Sequence, residues 1–72
     1  MFFKYYRDFY NYINDNYGFN NDYTVIGITD KDKNTDVIVK EKKSTEIIFK
    51  TTVKFGSEYD YDKLIVNILK FI

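Results

Sequence analysis

The chain has 72 residues, with 11 Lys+Arg balanced by 11 Asp+Glu, and it contains no Cys, His, Pro or Trp. A single domain spanning residues 1–72 is expected, because a content of 44% hydrophobic and 21% aromatic residues is too apolar for disorder and too evenly charged for a tail. Without imidazole or thiolate, the usual general-base and nucleophile chemistries fall away together with most zinc, haem and non-haem iron sites, so neither cofactor nor metal is expected.

Residues 2 to 17 have a helical period. At 100° per residue Phe2, Phe3, Tyr6, Phe9, Tyr10, Ile13 and Tyr17 share one side, and Lys4, Arg7, Asp8, Asn11, Asn14 and Asp15 the other. Tyr5 and Tyr12 lie at the margin of the apolar arc, and Gly18 stands where a C-terminal cap belongs. The charges at Lys4, Arg7 and Asp8 break the apolar core that a signal peptide would need.

From Tyr23 to Phe55 the period is nearer two and β-branched residues dominate; polar clusters at 30–34 and 41–44 divide the segment into three strands. In the third, Ile47, Phe49, Val53 and Phe55 are expected on one face, with Ile48, Lys50, Thr52 and Lys54 on the other. Ile38 and Ile48 then point to the side opposite the core, which suggests that this face is covered by something.

Ser57, followed three residues later by Asp60, reads as a capping-box-like start of a second helix. Its apolar stripe is Tyr61, Leu64, Ile65, Ile68, Leu69 and Ile72, and its polar side holds Asp60, Lys63, Asn67 and Lys70. The run from Leu64 to Ile72 is far below the roughly 20 apolar residues of a membrane span, so no membrane partner is expected. The fold class that buries both stripes is α+β: an αβββα two-layer sandwich, a three-stranded antiparallel sheet with two helices on one face. A core of this size supplies about 3 to 5 kcal/mol, so eight Tyr and seven Phe must pack densely in the absence of disulfides. That absence also favours a reducing compartment, and the cytoplasm is the expected location.

Three clusters compete as sites. Asp30, Asp32, Asn34, Asp36 and Glu41 have nearly the spacing of an EF-hand calcium loop, but Thr35 replaces the required Gly. Strand-like flanks would also place Glu41 roughly 15 Å or more from the turn at about 3.3 Å per residue, so a solvated hairpin turn is expected there and no metal. The second cluster is basic: residues 31–54 carry seven lysines against four carboxylates, and Lys40, Lys42, Lys43, Lys50 and Lys54 would form the nucleic-acid face. The third is acidic and aromatic. Tyr59, Asp60 and Asp62 beside Tyr5 and Tyr12 offer large rigid contact area with carboxylates for a basic partner, as protein interfaces do. Catalysis is not expected, since adjacent exposed carboxylates lack the burial that separates their pKa values.

The αβββα order resembles the double-stranded-RNA-binding domain across the whole chain. That resemblance implies a Lys-rich start to the last helix, where this chain instead has Ser57-Glu58-Tyr59-Asp60-Tyr61-Asp62. A tiny, Cys-free, Tyr-rich chain that enters its first strand through Asp22-Tyr23-Thr24-Val25 also resembles the anti-CRISPR inhibitors of bacterial viruses and mobile elements. This second resemblance implies a small non-enzymatic protein-binding module that occupies a surface of a larger protein or nucleoprotein partner, such as a host nuclease complex. The alternative is a nucleic-acid-binding domain using the lysine-rich meander, and a homo-oligomer joined through a sheet edge is a third expectation.

Overall fold

A computed structural model describes residues 1–18 and 22–71. Helix α1 spans Tyr6–Asn16, strands β1, β2 and β3 span Tyr23–Thr29, Asn34–Glu41 and Ile47–Lys54, and helix α2 spans Tyr61–Leu69. The strands form one antiparallel sheet in the order β1-β2-β3. This is the expected α+β meander between two helices.

Register decides which residues meet the helices. Val25 faces Val39 and Gly27 faces Val37 across the first pair, while Thr35 faces Val53 and Val39 faces Phe49 across the second. With side chains alternating along each strand, one sheet face presents Val25, Val37, Val39 and Val53. These pack into one buried cluster with Phe9 and Ile13 of α1, with Tyr61, Leu64, Ile65 and Ile68 of α2, and with Phe3. Both helices therefore lie on the same face of the sheet. Ile72 of the expected α2 stripe lies outside the described residues.

Two helix boundaries differ from the periodicity. Helix α1 starts at Tyr6, not residue 2, because the preceding segment is extended: the Phe3 carbonyl accepts a hydrogen bond from Gly56 N–H at 2.9 Å. Phe2 and Phe3, neighbours on a helical projection, consequently point to opposite sides, with Phe3 buried and Phe2 60% exposed. At the other end Gly18 has φ 71° and donates to Asn14 at 3.1 Å, the left-handed closure expected of it. Tyr17 stands beyond the last turn and is exposed, not core.

The start of α2 is also corrected. Its N-cap is Asp60, whose Oδ1 accepts from Lys63 N–H at 3.0 Å. Ser57 belongs to the preceding turn, where its hydroxyl donates to the Lys54 carbonyl. A third correction concerns β3. A bulge makes Val39 pair with Phe49 but Lys40 with Ile47, so Ile48 is skipped and Ile47 moves out of the core face, 49% exposed. One residue of slip in a period of two reverses the face of every residue beyond the slip.

The contact between α1 and β1 is unusually close. The ring of Tyr6 lies where a Cβ on Gly27 would be, at 2.5 Å to the nearest ring carbon, so this strand position admits only hydrogen. Tyr6 Oη is buried without a hydrogen-bond partner among the described residues, and burial, helped by nearby Tyr10, pushes the phenol above its ordinary value.

Gly27→Ala would normally strengthen a strand, but here it is expected to destabilise by about 1–3 kcal/mol in a urea titration, because the Tyr6 ring must be displaced. Tyr6 also carries a pH signature. Folded Tyr6 retains its proton where the unfolded chain loses it, so the unfolded state binds fewer protons and stability falls as pH rises past the ordinary value of 10.0. Denaturation at pH 8 to 11 should show a shallower fall for Tyr6→Phe than for the parent.

Candidate functional site

The acidic-aromatic site is assembled by the extended N-terminal segment, which runs between the two helices. Phe3 contacts the rings of Phe9 and Tyr12 from α1 at 5.4 and 5.6 Å and the ring of Tyr61 from α2 at 5.6 Å. Tyr61 in turn carries Tyr59 at 5.4 Å and Phe2 at 6.2 Å, while Tyr12 carries Tyr17 at 6.3 Å. A row of rings thus runs from Tyr17 through Tyr12, Phe3 and Tyr61 to Tyr59 and Phe2. Its middle is buried and its ends are open to solvent, with Tyr59 42% exposed. Edge-to-face pairs of this kind add about 0.5–1.5 kcal/mol each beyond area burial, so the exposed rings stand on a rigid base.

Carboxylates border this row. Asp62 lies close enough to Tyr12 to act on its phenol, and the Met1 amino group sits 3.9 Å from Asp62 Oδ2. Tyr12 is held above its ordinary range, first by desolvation, then by the charge and hydrogen bond of Tyr17, and last by Asp62. Asp60 has a structural duty first: Oδ1 closes the α2 N-terminus, and Oδ2 makes no bond among the described residues. Both acids also sit at the positive end of the α2 dipole, which favours their charge.

Of the residues expected in this site, Tyr12, Tyr59, Asp60 and Asp62 come together at the α1–α2 junction. Tyr5 does not join the ring row. It is the N-cap residue of α1, exposed, with the Lys4 ammonium 5.6 Å from its ring centroid. Phe2 and Tyr17 were missed, since the helical projection places both in the core. A sequence signal existed only for Phe2: two adjacent phenylalanines ahead of a charged residue fit an extended strand that splits them as well as a helix that groups them.

The lysines do not converge. Lys40 Nζ donates to the carbonyls of Glu41 and Ser44 at 2.9 and 2.8 Å, fastening the β2–β3 turn, and Lys50 Nζ lies 3.8 Å from Asp36 Oδ2. Lys42 and Lys43 occupy that turn, whereas Lys54 pairs with Asn34 at the opposite end of the sheet. Between them the open sheet face carries isoleucines among polar residues. Ile38 is buried there among its neighbours, next to Ile26 across the ladder, and Ile28, Ile47 and Ile48 are exposed. The β3 edge carries a bulge and lysines, devices that oppose pairing with another strand; no bulge interrupts the β1 pairing with β2.

The EF-hand-like segment is a hairpin turn. Asp30 Oδ1 accepts from the N–H groups of Asp32 and Asn34 at 2.9 and 3.0 Å, and Lys33 takes φ 67° to close the loop. Glu41 pairs with Tyr23 at the far end of the hairpin. Among the described residues no group of three or more His, Cys, Asp or Glu side chains is arranged to hold a metal, and no helix is long and apolar enough to cross a membrane.

The two capping candidates are separable by mutation. Asp60→Ala is expected to cost about 1 kcal/mol in chemical denaturation, and Ser57→Ala less, because only the former orphans a helix N–H.

No family model, no curated protein and no solved structure matches the chain.

Proposed function

We propose that the chain is a small non-enzymatic protein-binding module, acting in the cytoplasm by occupying a surface of a larger protein or nucleoprotein, in the manner of an anti-CRISPR inhibitor on a nuclease complex. The observation that carries this reading is the ring row at the α1–α2 junction. Phe2, Tyr17 and Tyr59 are exposed over a buried base of Phe3 and Tyr61, and Asp60 and Asp62 stand beside them. Aromatic side chains fixed by packing lose little entropy on binding, so exposed rings on a rigid base are the anchors expected of an interface hot spot. Two carboxylates at its border suit a basic partner surface, such as a protein groove that holds nucleic acid.

The nucleic-acid alternative needs several free cations on one surface, since phosphate affinity grows with each charge neutralised. Here Lys40 and Lys50 have partners within the fold, and Lys42 and Lys54 sit at opposite ends of the sheet. That spread favours the ring row over the lysines.

The test is affinity capture of the tagged chain from host lysate, with and without added nuclease, run beside a Tyr59→Ala, Asp62→Lys double variant. A stoichiometric protein that survives nuclease and falls by at least about tenfold with the variant is the expected result. Circular dichroism must show the variant folded. Equal capture by both chains would remove this site, and recovery of nucleic acid alone would transfer the reading to the lysines. If the captured protein is an RNA-guided nuclease, its DNA cleavage should be inhibited by the parent chain and spared by the variant.

A further inference from the structure

A groove of about 670 Å³ opens between the N-terminal segment, the start of α1 and the β1–β2 turn. Its volume is in the range of small-molecule sites, roughly 300–1,000 Å³. Every charged residue lining it is a cation: Lys4, Arg7 and Lys33, with no carboxylate among them. In a chain of zero net charge this is a local concentration that composition does not require. Neither Arg7 nor Lys33 has an ion pair among the described residues. Like charges around one hollow repel each other, and an anion seated between them would relieve that repulsion.

Two further features converge on the same place. Tyr5, the N-cap residue of α1, makes no side-chain capping bond, and the groove lies at the start of this 11-residue helix, beside Tyr6 and Arg7. The remaining wall is aromatic, formed by Phe2, Tyr5 and Phe55, with a polar edge where the Thr29 and Thr35 hydroxyls bond each other at 2.8 Å.

We propose that this groove binds a small phosphorylated ligand carrying a planar ring, of mononucleotide size. The arginine fork, two ammonium groups and the uncapped helix N-terminus match a doubly charged phosphate, for which guanidinium and backbone N–H are the usual donors. Phe2, Tyr5 and Phe55 match a flat ring, which stacks on aromatic faces whatever its pattern of polar atoms. The groove shares Phe2 with the ring row, but Tyr12, Tyr59, Asp60 and Asp62 take no part in it, so variants at Arg7 and Lys33 test it separately from the protein-binding reading.

The probe is adenosine 5′-monophosphate, titrated into the ¹⁵N-labelled full chain at low salt and followed by amide chemical shifts. Saturable shifts confined to Tyr6, Arg7, Lys33, Gly56 and their neighbours are expected by about 1 mM. Adenosine and inorganic phosphate, each carrying half of the recognised chemistry, should bind at least about tenfold more weakly. The exposed pair Arg7→Glu and Lys33→Glu, shown to be folded by circular dichroism, should abolish the shifts. Absence of groove shifts, equal binding of the charge-reversed variant, or equal binding of adenosine would each overturn the proposal.

Discussion

The structure depends on a single aromatic knot. Phe55, just past β3, stacks on Tyr61 of α2 at 5.7 Å and contacts Phe9 of α1 at 5.6 Å, so one ring ties the sheet to both helices. Phe3 closes the other side, edge-on to both Phe9 and Tyr61. In a chain without disulfides whose core supplies only about 3 to 5 kcal/mol, loss of one such side chain, typically 3–5 kcal/mol for Phe→Ala, is comparable to the whole stability. The rest of the molecule is arranged around holding these four rings.

Both candidate sites are by-products of that arrangement. Drawing Phe3 into the knot forces the N-terminal segment to be extended and hydrogen-bonded to Gly56, which turns Phe2 outward and starts α1 at Tyr6. On one side of the segment the ring row continues to Tyr59 and Tyr17. On the other, the displaced helix start leaves a groove lined by Lys4, Arg7 and Lys33. The two surfaces have opposite electrostatic character although the chain is neutral, because carboxylates cluster at the α2 N-terminus and cations at the α1 N-terminus. For the acids the helix dipole is favourable; for Lys4 and Arg7 it is not, and Asp8 in the first turn of α1 is the charge which that end favours.

Much of the fold was legible because each element carries its own local signal. The period of two in Val37, Val39, Thr51 and Val53, the period of 3.6 in Phe9, Ile13, Leu64 and Ile68, and the Asx chemistry of Asp30 all depend on neighbours within a few residues. The misplacements share one cause. Ser57 and Asp60 are both good capping residues, and only the turn back to Lys54 and the Tyr61 hydroxyl on the Ser57 carbonyl decide between them. Ile47 and Ile48 are equally apolar, and only the bulge opposite Lys40 takes Ile47 off the core face and leaves both exposed. The candidate site was half legible: the residue types of Tyr12, Tyr59, Asp60 and Asp62 pointed to an interface, but their adjacency rests on Phe3 and Tyr61, which no spacing rule connects.

The amino-acid sequence by itself therefore determined the order of elements, the strand and turn chemistry, and the exclusion of imidazole and thiolate reactions, since these derive from composition and short-range periodicity. Only the tertiary structure decided where α1 begins, which isoleucines leave the core, and which cations share a groove. Those outcomes arise from contacts between residues far apart in the chain, namely Phe3 with Gly56, Tyr6 with Gly27 and Phe9 with Phe55. Local propensity is nearly indifferent among the alternatives at such positions, so long-range packing makes the choice.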